Sequence, residues 1–393
     1  MILNYFNQIS KTAILSAFAA VSLTGQPVVA APGDAPQVPA TSYVTVSTLK
    51  DLNRALREVR RPTSILVAPG DYSGMSIRGL TVPEGTVLKS AIDGRPASFD
   101  GLFIDSVRGL TVENIVINPS AKGSAAGRYG ALVVNSRNVK LDGLRIVGPG
   151  RRIDTSFFSG IMLRRSSDVT FARSYVANFR HGLTLLDLSN SLIEANEFEG
   201  LQTDGIRGGG IQNTSIRANV ITDFQPSATD HPDGIQIWST NQARPGRGII
   251  ISDNIVIRGK GGPTQGIFVR DTKSKLPFES LTIDGNLVIG GRYNGISVGS
   301  ATGVKVTNNM VIPRSDQKSW IRLEQTRDAL VANNYAGTYV FRNNREKLRS
   351  RNNTQISAND RNLAPVISRW ARQKASFSTY RGAVLQRLMK YGY

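Results

Sequence analysis

The chain has no cysteine and only two histidines in 393 residues. Disulfide stapling is thereby excluded, and a zinc site would have to be built without thiolates from two imidazoles at most. Beyond the first 30 residues no run reaches the 18 apolar residues that a membrane helix needs, so no transmembrane segment is expected. No phosphate-cradling loop ending in Lys-Ser/Thr is present, and Gly208, Gly209 and Gly210 fall inside a repeat. Acid is scarce: 29 Asp and Glu stand against 48 Lys and Arg, a net charge of +19. Such an excess suits a polyanion, whether acidic polysaccharide, lipopolysaccharide, teichoic acid or nucleic acid. No nucleic-acid module is recognisable, so nucleic acid is not expected as a partner.

Residues 1–31 read as a signal peptide: Lys11 supplies positive charge, Thr12 to Leu23 form an apolar run, and Val28 to Ala31 offer small residues for cleavage. A proline-rich linker follows over 32–41. A secreted or periplasmic bacterial protein is therefore expected, and the missing cysteines fit the absence of disulfide staples. Residues 350–393 form a basic extension; from Arg342 to Tyr393 there are 12 Lys/Arg against Glu346 and Asp360. Within it Ser368 to Leu388 has an amphipathic helical pattern, suited to packing on the flank of the fold or to binding a polyanion.

Between these ends the text repeats. A branched apolar residue, two variable residues and an asparagine recur six times, ending at Asn196, Asn219, Asn254, Asn286, Asn309 and Asn334. Out of phase with them a glycine opens an alternating apolar strand at Gly130, Gly160, Gly182, Gly205, Gly234, Gly266 and Gly295, with spacings of 30, 22, 23, 29, 32 and 29. Stacked coils of about 22 residues with loop insertions fit these spacings. Leucine-rich repeats would show a leucine consensus, and propeller blades would need about 40 residues per unit. The expectation is an all-β, single-stranded parallel β-helix over 42–349. Thr48 to Val59 would form a capping helix with Thr48 as N-cap, ahead of a buried strand beginning at Ile65.

The helix followed by Ile65-Leu-Val-Ala-Pro-Gly-Asp-Tyr72, the coil length and the asparagine ladder resemble the pectate-lyase-like right-handed parallel β-helix superfamily over about residues 42–341. The resemblance implies that fold and a carbohydrate substrate. It leaves the chemistry open among polysaccharide lyases, uronan C5-epimerases, inverting hydrolases and tailspikes.

Strand alternation then assigns faces. With the glycine as position zero, +1 and +3 are aliphatic and read as facing the core, and the −1, +2 and +4 columns read as facing outward. The −1 column reads Ser159, His181, Asp204, Asp233, Gln265, Asn294. The +2 column reads Met162, Thr184, Arg207, Gln236, Phe268, Ser297, and the +4 column Arg164, Leu186, Gly209, Trp238, Arg270, Gly299. Stacked ~4.8 Å apart, His181, Asp204 and Asp233 are placed in contact, with Arg207, Gln236, Trp238 and Arg270 around them. His231 approaches from the edge. Like charges directly opposite in a sheet repel, so Arg207, a histidinium, a shared proton or a bound cation must compensate. The gap to the ladder asparagine grows from 15 to 21 residues after Asp233 and after Gln265. The resulting loops, around 240–248 and 271–279, carry Arg244, Arg247, Lys273 and Lys275 as candidate substrate-binding groups and groove walls.

These parts suit β-elimination of a uronate. Arg207 and Arg270 would neutralise the substrate carboxylate, with Ca²⁺ on Asp204 and Asp233 as a further option. His181 or His231 would take the C5 proton, Lys260 being a base of unfixed register. An epimerase would use the same parts, but its Asp-Pro-His-Asp/Glu order is rearranged here to Asp230-His231-Pro232-Asp233. A hydrolase would use Asp204 and Asp233 as a carboxyl pair. The polygalacturonase-like fragments at Thr203–Ile206 and Asn294–Ser300 lack that family's consecutive aspartates and its histidine. A non-enzymatic polysaccharide-binding solenoid is the remaining reading. The expected partner is an acidic polysaccharide, the expected state a monomer.

Overall fold

The computed structural model describes residues 42–120, 124–150, 159–271, 275–316, 318–357, 367–368 and 370–371. The signal and linker segments, Lys273 and most of the basic extension lie outside the described residues. Among those described, no helix is long and apolar enough to cross a membrane.

The stack opens as its sequence dictates. Helix Leu49–Glu58 starts at Thr48, whose hydroxyl accepts the Asp51 amide (3.1 Å) and donates to the Asp51 carboxylate. Its apolar stripe buries Leu52 and Leu56 over the end of the core. A short strand that the sequence pattern did not announce, Ser42–Val46, precedes the helix and pairs in parallel with Thr63–Val67. From there every named strand pairing is parallel, and each coil contributes strands to three faces. Two of these faces merge into a sheet of 20 strands bent at a corner, and the third is a sheet of 12, among the described residues. Val, Ile, Leu and Phe from all three meet in one continuous buried core.

Both repeating phrases have mechanical causes. The asparagines sit in the turn from the second face to the third, where each amide donates to the next one down: Asn196 to Asn219 (3.0 Å), Asn219 to Asn254 (2.9 Å), Asn254 to Asn286 (3.0 Å). The ladder continues through Asn309 and Asn334 to Asn353, one rung past the last asparagine of the sequence phrase. Strands likewise continue to Gln355. The glycines mark the coil's narrowest point: a Cβ on Gly234 would lie 2.6 Å from Val256 on the third sheet and 2.8 Å from the Gly266 carbonyl. That spacing, not turn formation, is what demands glycine.

The third sheet is apolar on its outer side as well. Ile255, Ile257, Leu287, Ile289, Met310 and Ile312 are covered by Ile367, Trp370 and Ala371, and the Trp370 indole donates to the Gly285 carbonyl (2.9 Å). The described part of the extension thus packs on the flank. Its burial explains why the tail carries a tryptophan among its charges.

Candidate functional site

The first sheet holds the outward columns in the expected register. Ser159 pairs with His181, Asp233 with Gln265, Thr184 with Arg207, Arg207 with Gln236, and Trp238 with Arg270. The Gly182 amide donates to the Asp204 carbonyl and the Gly205 amide to the Asp233 carbonyl, so His181, Asp204 and Asp233 do occupy consecutive rungs.

They are not an open floor, however. His181 is 8% exposed, Asp204 4% and Asp233 1%. The column lies at the edge of the sheet. Beside it, Asp230 is held by Gln202 (3.0 Å) and by the Ser227 amide (2.8 Å), and lies 3.7 Å from Arg180. The half-exposed surface is the next column pair: Arg207, Gln236, Trp238, Phe268 and Arg270.

Arg207 organises the cluster. Its Nη1 lies 3.1 Å from Asp204 Oδ2, and its guanidinium stacks on the Trp238 ring, 4.8 Å from the centroid. The same Nη1 stands 2.9 Å from His181 Nε2 and 3.3 Å from Nδ1. No point in the imidazole plane is that close to both nitrogens without colliding with the carbon between them. The guanidinium therefore rests on the ring face, and the in-plane lone pair of Nε2 is not its acceptor. The tautomer follows from the network: Thr203 Oγ1 spends its hydrogen on the Arg180 carbonyl (3.1 Å) and so accepts from His181 Nδ1–H, leaving Nε2 bare.

Electrostatics completes the description. Burial, then the positive charges of Arg207 and Arg180, push His181 down to about 3, against a smaller opposing pull from Asp230. At neutral pH the imidazole is uncharged, and its 3.7 Å approach to Asp204 Oδ2 is a dipolar contact rather than an ion pair. Burial raises Asp204 to about 6, opposed by Arg207 and by the Asp233 amide that donates to its Oδ1 (3.2 Å). Asp233 is raised well above the carboxylate range by burial and then by Asp204, with Gln236 (2.6 Å to Oδ2) and Arg207 opposing. The two aspartates thus resolve their repulsion by keeping a proton on Asp233 while Arg207 neutralises Asp204. Asp233 Oδ1 has no hydrogen-bond partner.

This arrangement corrects several expectations. A histidinium is not the compensating cation. Calcium does not fit: it needs six to eight oxygens, whereas the cluster offers one ionised carboxylate already holding a guanidinium, and no group of three or more acidic or histidine side chains placed to hold a metal ion occurs among the described residues. His231 is exposed and makes no hydrogen bond or ion pair with the cluster; its neighbour Asp230 reaches in instead. Arg270 joins Glu324 (3.6 Å), which also binds Arg322, and not Asp204. Arg247 is the first residue of strand Arg247–Ser252, paired with Glu279 at 3.1 Å, rather than a free loop cation. Arg244 and Lys275 are exposed, and Lys273 lies outside the described residues. Lys260 is exposed, its amide bound to Asp223. One face of Trp238 is taken by Arg207, leaving only the other for a ligand. Sequence reasoning missed Arg180, and quoted Thr203 and Asp230 only within motif fragments, with no role in the cluster. Arg180 and Thr203 occupy the −2 position of adjacent rungs, a column to which the sequence reading assigned no face.

A model of the family described as right handed beta helix region matches residues 100–311, more than half of the chain. Solved structures share the architecture. A mannuronic acid specific polysaccharide family 6 lyase from human gut microbiota is 14% identical, with 81% of this chain and 83% of that chain covered at a TM-score of 0.57. An alginate lyase from Paenibacillus sp. str. FPU-7 is 15% identical (77% and 98% covered, TM-score 0.51). A surface adhesin of Streptococcus pneumoniae is 11% identical (78% and 86% covered, TM-score 0.51). At such identities the likeness concerns the fold. Comparison with curated proteins finds no match. The family match, the parallel pairing of every named strand and the asparagine ladder together make this chain a member of the right-handed β-helix family.

Proposed function

We propose that the protein is an exported enzyme that cleaves an acidic, uronate-containing polysaccharide by β-elimination. The observation that carries this reading is an uncharged histidine whose Nε2 is free of hydrogen on one face of a guanidinium. β-Elimination asks for a cation at the carboxylate to stabilise charge as C5 loses its proton, and a neutral base to take it. Arg207 supplies the first and His181 Nε2 the second. C4=C5 then forms as the C4–O bond breaks, and the departing oxygen takes a proton from the imidazolium or from water. Burial depresses His181 most; a substrate carboxylate beside Arg207 and Arg180 would offset the smaller, cationic part of the depression, so binding would raise the basicity of the imidazole. Asp204 anchors Arg207, Thr203 fixes the tautomer, and Trp238 and Gln236 border the approach. Two fold neighbours, a mannuronic acid specific lyase and an alginate lyase, act on uronate polymers, which agrees with the chain's cationic excess.

Hydrolysis by Asp204 and Asp233 is less well supported, because a carboxyl with 1% exposure does not reach a glycosidic oxygen. A binding protein without chemistry is the second reading, favoured by the burial of His181 itself and by the adhesin among the fold neighbours. Incubation with a panel of uronate polymers separates these. A rise in absorbance near ~235 nm, from the conjugated product of elimination, is expected. New reducing ends without that absorbance would replace elimination by hydrolysis, and binding with neither signal would leave the adhesin-like reading.

A further inference from the structure

Followed three rungs beyond Asp233, ~14 Å at one strand spacing per rung, the −1 column reaches aromatic rings. It runs Asp233, Gln265, Asn294, Trp320 in register. The last three are tied together, Trp320 Nε1 donating to Asn294 Oδ1 (2.9 Å) and Asn294 Nδ2 to Gln265 Oε1. The Tyr293 and Trp320 rings stand 5.3 Å apart, tilted by 32°, and Tyr293 is 55% exposed. Both line a concavity of about 1130 Å³ whose wall also carries Arg314, Lys318 and Ser319. Lys318 is exposed and makes no ion pair. Asp316, the acidic residue of the wall, is neutralised by Arg258. The hydroxyl of Ser319, a residue 1% exposed, has no hydrogen-bond partner.

We propose that this concavity is a second carbohydrate subsite, seating one acidic sugar of the same polymer with its ring against Trp320 and Tyr293 and its carboxylate at Lys318. The inference rests on the polysaccharide reading above and deepens it. An aromatic pair beside the exposed, unpaired Lys318 ammonium matches a pyranose uronate, which has apolar C–H faces and an anionic edge. The indole is held by Asn294 before any ligand arrives, so little rotamer freedom is lost on binding. Continuity of the column places the subsite on the path of a chain crossing His181 and Arg207. A chain long enough to reach both gains from the second contact as an intramolecular event.

The subsite therefore makes affinity depend on chain length. Calorimetric titration of the full chain with uronate trimers and octamers tests this directly. The parent protein is expected to bind octamers about tenfold more tightly than trimers. Tyr293→Ala and Lys318→Ala, both at exposed positions, should each weaken octamer binding about fivefold to tenfold while trimer binding stays at the parent value. Trp320→Phe, which keeps a ring but loses the bond to Asn294, should give a smaller loss of the same kind. Variants that bind octamers as the parent does would overturn the subsite and leave the elimination reading intact. A parent that binds neither length would overturn both.

Discussion

Two ladders run along this molecule with the same spacing and opposite character. In the asparagine ladder every rung carries the same neutral amide, a group that both donates and accepts. Asn254 donates to Asn286 and to the Ile216 carbonyl, accepts twice from Asn219, and is fully buried. In the −1 column of the first sheet the rungs are His181, Asp204 and Asp233, equally buried yet unlike one another. Apart from the Asp233 amide that donates to Asp204, their partners come from outside the column, Arg207, Thr203 and Gln236, and one oxygen of Asp233 has no hydrogen-bond partner. Stacking identical amides is self-consistent and yields stability. Stacking ionisable groups is not, and the remedy is a retained proton, a captured guanidinium and an imidazole held neutral, which are the ingredients of acid–base chemistry.

The sharpest way to break the contrast is to remove the cation that serves the second column. Arg207→Ala should lower kcat/KM for a uronate polymer by about a thousandfold or more. It should also cost about 3–5 kcal/mol in urea unfolding, because Asp204 is left buried without its partner. Arg207→Lys should recover little, since an ammonium cannot contact two rings and a carboxylate at once. Breaking the other ladder should separate stability from activity. Asn254→Ala strands several buried backbone and amide groups and should cost about 2–4 kcal/mol, with kcat/KM per folded molecule unchanged.

The pH dependence sharpens the comparison further. Activity should rise as pH passes through about 6, where Asp204 ionises and secures Arg207, and Asp204→Asn should abolish that inflection in kcat/KM. Stability responds in the other sense. A carboxyl raised from 3.8 to about 6 favours the folded state below pH 3.8, and this contribution is lost as pH climbs through 6. His181, lowered from 6.5 to about 3, favours the folded state above 6.5 and loses that contribution as pH falls toward 3. Between pH 3.8 and 6 the two contributions offset each other in the parent, so unfolding measurements on Asp204→Asn should uncover a stability that rises with pH and on His181→Gln one that falls. The smallest effect is expected from Asp233→Asn. It replaces a group that is already uncharged with an uncharged isostere, so unfolding free energy should move by no more than about 1 kcal/mol. A gain well beyond that would mean that Asp233 is ionised in the parent.

The architecture was largely legible because its determinants are periodic. Identical turns put asparagine at a fixed place, the close approach of two sheets forces glycine, and alternation sorts the remaining side chains. The same ruler brought His181, Asp204, Asp233 and Arg207 together. What it could not convey was burial and non-periodic contact. Residues on the outward face of a strand were expected to be solvated, yet Asp230, Gln202 and Arg180 lie beside the edge of the column. Arg247 and Arg270 were placed in the right neighbourhood, but their partners Glu279 and Glu324 come from later coils that no local pattern links to them. His231 shows the limit of composition: being one of only two histidines does not bring it into the cluster. Tyr293 and Trp320 were overlooked because the aromatic pair forms on a later rung of the column, beyond the charged stretch.

The central claim is that His181 acts as the neutral base beside Arg207. It is tested most directly by following absorbance near ~235 nm on a uronate polymer with the parent and His181→Ala side by side, while measuring polymer binding for both. The account predicts a steady rise for the parent, a loss of at least about a hundredfold for His181→Ala, and similar binding. An undiminished rate in His181→Ala would contradict it, as would reducing ends appearing in the parent without the unsaturated product.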